Sequence, residues 1–370
     1  MRRSRALVAA AAIMSVGVGL AACGSDSSDE DDASVSIVAT TPMMGAIAQD
    51  VVGDGAEVAV LIPEGADPHD FQPSAQDIAA LNNATLIVAN GENLEEGLGE
   101  PLEAAAADGV TVFTATEHVE LLEGGEDAHS DDEGHSDDEE GHSDDKGEAG
   151  HSDDEEGHSD DVEGHSDEEE GHSDEESHSD DEEGHSDDEA GHSHDGDDPH
   201  IFTDPGRMAT VALALGEALA NEGVDATGAE ETAQRYRAID GELEASTATV
   251  PKAQRALVTG HESMAYWADR YGYEVVGTVL PNLSTNAQVS ASDIAEVSET
   301  IEREGVQAIF AEPDTAPAVA EAISQETGAR VVTVYSESFG PDTETYEEYV
   351  RQLTDAIVDG LGGEVAQSTG

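Results

Sequence analysis

The stretch Val35-Ser36-Ile37-Val38-Ala39-Thr40-Thr41-Pro42 sets the fold class. Four of the five residues in Val35–Ala39 are apolar, which reads as a buried strand. Thr41 then offers a side-chain oxygen at an N-cap position and Pro42 a pre-set φ in the first helical turn. A helix must therefore follow the strand directly, with Ile47 and Val51 on its inner face. Working outward, Val58–Ile62, Leu86–Ala89 and Val110–Phe113 are further short apolar runs of strand length. Between them, Ser74-x-x-Asp77 opens a helix that carries Ile78 and Leu81 on one face. Leu94, Leu98, Leu102 and Ala105 form a third helical stripe.

The second half repeats the alternation. Pro205 starts a helix with Met208, Val211, Leu215 and Leu219 at helical spacing. Ala229 to Ala248 is helical and polar on most faces, with Tyr236, Ile239 and Leu243 as its apolar contacts. Strands are expected at Ala256–Thr259, Val275–Val279, Val306–Phe310 and Val331–Tyr335. Helices are expected around Met264–Tyr271, Asp293–Glu304 and Val319–Thr327, the last stopped by Gly328. Alternation of this kind predicts an α/β protein with parallel sheets flanked by helices. The expected organisation is an N-terminal lobe over 35–225, a linking helix over 226–250 and a C-terminal lobe over 251–370.

The N-terminus reads as a leader. Arg2, Arg3 and Arg5 precede a short apolar run from Leu7 to Leu20, too short for a comfortable membrane span. Residues 1–22 are therefore expected to be a signal peptide, ending in Leu20-Ala21-Ala22-Cys23. Cys23 is the only cysteine, so no internal disulfide or thiolate cluster can form. Residues 23–34 are rich in Ser and Asp and read as a flexible tether. The net charge of −73 argues against nucleic acid as a partner and suits a protein that handles cations.

Much of that charge lies in an insertion over 123–198, built from Gly-His-Ser-Asp-Asp-Glu-Glu units opposed only by Lys146. His129, His135, His142, His151, His158, His165, His172, His178, His185 and His192 recur mostly at seven-residue intervals, with His194 following. A coiled coil would need apolar residues along the seam, and here there are almost none. Glycine in nearly every unit opposes helix further. Without aromatic residues the segment buries too little to offset its ordering entropy, so disorder is expected in the absence of metal.

Candidate ligands stand apart from the repeat. Asp-Pro-His occurs twice, at Asp67-Pro68-His69 and Asp198-Pro199-His200, and proline fixes the backbone approach of both histidines. In open α/β sheets, ligands bind beyond the carboxyl ends of strands. His69, His200, His261 and Glu337 all fall near such positions, two from each half. Three imidazoles and a carboxylate suit Zn²⁺ in an inter-lobe cleft, and Glu312 is placed to offset the residual positive charge. His118 has no comparable context and reads as structural or exposed.

Several motifs occur in order: Gly65-Ala66-Asp67-Pro68-His69, Asn90-Gly91-x-x-Leu94-Glu95, Asp198-Pro199-His200-Ile201-Phe202-Thr203-Asp204-Pro205, Gly260-His261-x-x-x-x-Tyr266 and Ile309-Phe310-Ala311-Glu312-Pro313. Together they resemble the cluster A-I metal-binding lipoproteins of bacterial ABC importers, which serve zinc and manganese. The resemblance implies two α/β lobes joined by a long rigid helix, a lipid on Cys23 and an extracytoplasmic place at the membrane. It also implies delivery of the ion to a permease and its ATPase by a monomer. Its ligand positions fall on His69, His200, His261 and Glu337, where Glu337 replaces the more usual aspartate. Its zinc-type members carry a His-rich acidic loop before the second histidine, which implies an auxiliary metal collector here. A surface metal chelator without transport is the alternative. A zinc hydrolase is the other; it has no His-Glu-x-x-His helix and no nucleophile constellation behind it.

Overall fold

The first half runs β1 (Ile37–Ala39), α1 (Pro42–Val52), β2 (Val58–Val60), α2 (Ala75–Asn82), β3 (Leu86–Ala89), α3 (Gly99–Ala107) and β4 (Thr111–Thr114). Past the insertion come α4 (Pro205–Asn221) and α5 (Ala229–Thr247). The second half runs β5 (Ala256–Thr259), α6 (Ala265–Tyr271), β6 (Glu274–Thr278), α7 (Ala291–Glu304), β7 (Ala308–Ala311), α8 (Pro317–Thr327), β8 (Arg330–Thr333) and α9 (Tyr346–Gly360). The computed structural model describes residues 35–124, 196–280, 283, 285, 289–313 and 315–363. The leader, Cys23, the tether and the repeat histidines from His129 to His194 lie outside the described residues.

Both halves build the same sheet. The orders are β2-β1-β3-β4 and β6-β5-β7-β8, parallel throughout. In each, the chain leaves the first strand toward one neighbour and returns on its other side. Connections there diverge at the strands' carboxyl ends and leave a crevice, at β1/β3 and at β5/β7. The α/β expectation, with two parallel sheets flanked by helices, holds.

Burial explains why the strands read as continuous apolar runs. Ile37, Ala39, Leu86 and Val88 face one core, while Val38 and Ile87 point the other way and pack with Ile62, Leu81 and Leu98. Strand side chains alternate faces, so a sheet covered on both sides needs apolar residues at every position. The larger core continues through α1, α4, α5 and α9 to Leu257 and Phe310 of the second sheet. A third cluster, with Val258, Ile309, Val297 and Ile323, covers that sheet's outer face.

Helix α5 touches both halves. Near its start, the Thr232 hydroxyl donates to the Asp50 carbonyl of α1 at 3.1 Å and the Tyr236 hydroxyl to the Asp50 carboxylate at 2.8 Å. Further along, Asp240 accepts from Arg270 Nε at 2.9 Å and from the Tyr271 hydroxyl at 3.1 Å, both on α6. At its end, the Thr247 carbonyl accepts from the Tyr273 hydroxyl at 2.9 Å. Nineteen residues of helix span roughly 28 Å, enough to reach from one sheet to the other.

Two elements depart from the sequence reading. Leu94 was expected on the third helical stripe, but α3 begins only at Gly99. Ahead of it the chain turns through Glu92 and Asn93, both at positive φ, and through a short 3-10 turn at Glu96–Leu98. The cause is local. The Glu95 carboxylate accepts from the backbone N–H of Asn90 at 2.9 Å and from the Thr40 hydroxyl, which pins the chain before a helix can start. Gly97 lies so close to the Phe71 carbonyl that a Cβ there would sit 2.1 Å from its oxygen. The sequence reading also omitted α9, although Thr345 and Glu348 form a capping box and Tyr349, Val350, Leu353 and Ile357 make a buried stripe. Ile357 is fully buried where α9 closes the larger core. Ile357→Ala is expected to destabilise the metal-free protein by about 2–5 kcal/mol, read as a lower urea midpoint.

Candidate metal centre

The two Asp-Pro-His motifs share one turn. Asp67 Oδ1 accepts from the His69 backbone N–H at 2.9 Å, and Asp198 Oδ1 from that of His200 at 2.8 Å. An aspartate bonded to the N–H two residues on makes an Asx turn, and the intervening proline pre-sets its φ. Each tripeptide is thus a small rigid bracket with a histidine at its end. The first bracket follows β2. The second leads into α4, whose N-cap Asp204 accepts from the backbone of Gly206 and Arg207.

His261 comes from the crevice side of the second sheet, one residue beyond Gly260 at the end of β5. The Thr259 hydroxyl donates to the His261 carbonyl at 2.6 Å and fixes that turn. Glu337 lies beyond β8 and is held by Glu312, which follows β7. Glu312 Oε1 accepts from the backbone N–H groups of Ser336 and Glu337 at 2.8 and 3.0 Å, and from the Ser336 hydroxyl at 3.0 Å. The Tyr349 hydroxyl of α9 donates to the Ser336 carbonyl at 2.6 Å.

These brackets bring four side chains to one point. The Nε2 atoms of His69, His200 and His261 lie 2.9, 3.0 and 3.1 Å from Glu337 Oε1. The four donor atoms all fall within 4.8 Å of one another. All four residues are buried, none more than 5 % exposed. A tetrahedral zinc ion with ligands at about 2.0–2.1 Å separates its donors by roughly 3.3 Å. The donor spacings here bracket that value, from 2.9 Å to at most 4.8 Å.

The surroundings prepare the rings for that role. Asp198 Oδ1 stands 2.7 Å from His200 Nδ1, so Nδ1 carries the proton and Nε2 is left facing the cluster. His69 Nδ1 lies 3.7 Å from Glu96 Oε1, a looser version of the same arrangement. Asn90 Nδ2 donates to the Pro199 carbonyl at 2.9 Å, so the end of β3 steadies the second bracket. Sequence reasoning missed Asp67, Asp198 and Asn90 as supports. The aspartates had a legible signal, the Asx-Pro pattern itself; Asn90 had none, because its partner lies 109 positions away. His118 is exposed and stacks on Phe113 at 4.6 Å, far from the cluster's chemistry.

Burial would lower the histidine pKa values, but the carboxylates reverse it. His69 is raised to about 10 by Glu337, Glu96 and Asp67 against the effect of burial. Against the same effect, Asp198 and Glu337 raise His200 to about 9. Burial would raise Glu337, yet the three histidines hold it well below the usual carboxylate range. Burial and the Glu337 charge push Glu312 up. Beside His69 lies a cavity of about 140 Å³, also lined by Glu92, Glu96 and Asp197.

Two parallel-sheet lobes with a buried histidine and carboxylate cluster drawn from both define a two-lobed α/β binding protein with a metal-type donor set. Residues 37–360 match the family described as "ZnuA: Zinc-uptake complex component A periplasmic", and the chain belongs to that family. It is 25 % identical over 342 residues to the zinc-binding lipoprotein AdcA of Streptococcus pneumoniae, covering 90 % of this chain and 56 % of that protein. The chain thus spans little more than half the length of that relative. It is 20 % identical over 361 residues to the manganese-binding lipoprotein MntA of Halalkalibacterium halodurans, covering 94 % of this chain and 96 % of MntA. Its fold is that of the periplasmic zinc binding protein TroA from Treponema pallidum, with a TM-score of 0.63 and 21 % identity. That superposition covers 89 % of this chain and 99 % of TroA. A Mn-bound periplasmic metal binding protein from candidatus Liberibacter asiaticus is similar, with a TM-score of 0.61, 19 % identity, and 88 % and 99 % of the two chains covered.

The raised histidines give a test without metal. A His whose folded pKa exceeds its unfolded value of about 6.5 contributes stability that is fully present below that value. The contribution is lost as pH rises through the folded values, about 9 and about 10 here. The melting temperature of the metal-free protein is therefore expected to fall between about pH 7 and pH 10. Glu337→Gln should flatten that slope; an unchanged slope would disprove the coupling.

Proposed function

We propose that this chain is an extracytoplasmic zinc receptor of an ABC importer, with His69, His200, His261 and Glu337 as the ligands of the transported ion. The observation that carries the reading is the convergence of three Nε2 atoms on one carboxylate oxygen, in a buried cluster contributed by both lobes. Three neutral imidazoles and one carboxylate leave a filled site with about one positive charge. That donor set is borderline in softness and suits Zn²⁺, with other divalent ions in competition for it. The names of AdcA and MntA are consistent with zinc and manganese as cargo. The acids Glu92, Glu96 and Asp197 around the cavity beside His69 would raise the local cation concentration at the approach to the site.

In this reading Cys23 carries a lipid that holds the receptor at the membrane, and the receptor, as a monomer, passes its ion to a permease driven by an ATPase. Among the described residues no helix is long and apolar enough to cross a membrane. The insertion over 123–198 collects further ions weakly. The lobes span 35–225 and 251–370, and α5 within 226–250 acts as a strut that limits their relative motion. Its hydrogen bonds to Asp50 at one end and to Tyr273 at the other support that role.

Calorimetric titration with Zn²⁺ tests the ligand set. His261→Ala should weaken the tight site by at least a hundredfold, and wild-type affinity in that variant would refute the assignment. Deleting residues 126–197 should lower the total stoichiometry while one tight ion remains. Ion binding must displace protons from His69 and His200, whose metal-free values are raised to about 10 and about 9. Affinity should therefore keep rising with pH well past 7, up to about 10. Titrations in buffers of different ionisation enthalpy should register the released protons.

A further inference from the structure

Both Asp-Pro-His brackets belong to the first lobe, yet the aspartate of each is fastened by a hydroxyl from the second. Thr285 Oγ1, between β6 and α7, donates to Asp67 Oδ2. The Tyr266 hydroxyl, on α6, donates to the Asp198 carbonyl at 2.7 Å. The same hydroxyl accepts from the Leu122 backbone N–H at 3.0 Å. Each tie falls on the aspartate two positions before a proposed ligand. Asp67 gives one oxygen to Thr285 and the other to the His69 backbone. Asp198 gives its carbonyl to Tyr266 and its carboxylate to both the backbone and the ring of His200.

Tyr266 has a second duty. Leu122 and Asp198 flank the insertion, and its two roots meet through Asp198 N–H to the Leu122 carbonyl at 2.9 Å and Gly124 N–H to the Gly196 carbonyl at 3.1 Å. Closing a loop costs more entropy the longer it is, so such a root needs support. The fully buried Tyr266 provides it, with Arg207 stacked 4.6 Å above its ring and donating to the Glu120 carbonyl at 3.0 Å.

We propose that Thr285 and Tyr266 are positioning residues that form a two-point latch across the cleft and set the rate at which the ion leaves. The inference rests on the receptor reading above. His69 and His200 stand on one lobe, and His261 and Glu337 on the other. Release through separation of the lobes must part these pairs, and it breaks both hydroxyl ties on the way. Neither hydroxyl touches a donor atom. Their contribution therefore belongs to the closed arrangement of the lobes, and for a bound ion it appears in dissociation rather than capture.

The test uses the full chain loaded with Zn²⁺ and stopped-flow release into excess chelator. Thr285→Val and Tyr266→Phe should each speed release about fivefold, the worth of one neutral hydrogen bond, and about 25-fold together. Stoichiometry and association rate should stay near wild type. Thr285→Ser keeps the hydroxyl and should restore slow release, which a loss of packing would not do. Wild-type release in both Thr285→Val and Tyr266→Phe would overturn the latch, as would a loss confined to association. So would a Thr285→Ser protein as fast as Thr285→Val. If Tyr266→Phe fails to fold, the Thr285 pair decides alone. A wild-type chain with no tight Zn²⁺ would instead defeat the receptor reading, before any variant is compared.

Discussion

A single carboxylate oxygen, Glu337 Oε1, is shared by three buried imidazole nitrogens at 2.9–3.1 Å, and the architecture around it serves to hold that meeting in place. Four titratable groups out of water are costly unless each is paired. The pairing is reciprocal: Glu337 raises His69 and His200, and the histidines hold Glu337 ionised. A metal-free cluster of this kind is occupied by protons in the place proposed for the ion. Cation exchange, protons for metal, then becomes the natural chemistry of the cleft.

Holding the cluster requires rigid supports, and each of its four side chains has one. Asx-Pro brackets present His69 and His200, a hydroxyl-fixed turn presents His261, and Glu312 clamps the backbone under Glu337. The supports stand at the carboxyl ends of strands, where the two identical sheet topologies each open a crevice. Symmetry of topology does not mean symmetry of chemistry. One lobe supplies two imidazoles and the other an imidazole and a carboxylate, so neither lobe offers a complete donor set.

The strand and helix alternation was legible because the central strands β1, β3, β5 and β7 are covered on both faces, which makes them apolar almost throughout. Local signals marked the helix starts, the caps Thr41 and Ser74 and the first-turn Pro205. One failure was non-local. The Leu94 stripe has helical period, but Glu95 is captured by Asn90 and Thr40 and Gly97 is pressed against Phe71, so the helix starts later. Helix α9 was missed despite a legible capping box and apolar stripe.

By itself, the sequence determined which residues could act: the paired Asp-Pro-His brackets, whose geometry is local to three residues, and the acidic histidine repeat that is distinct from them. It also determined the parallel α/β class, since burial periodicity is written into consecutive residues. Only the tertiary structure decided that His69, His200, His261 and Glu337 meet, because partners separated by up to 268 positions are joined by packing and not by spacing. The same is true of Tyr266 and Thr285. Their hydroxyls reach across the cleft to the aspartates of the two brackets, a relation that exists only once both lobes are folded and face each other.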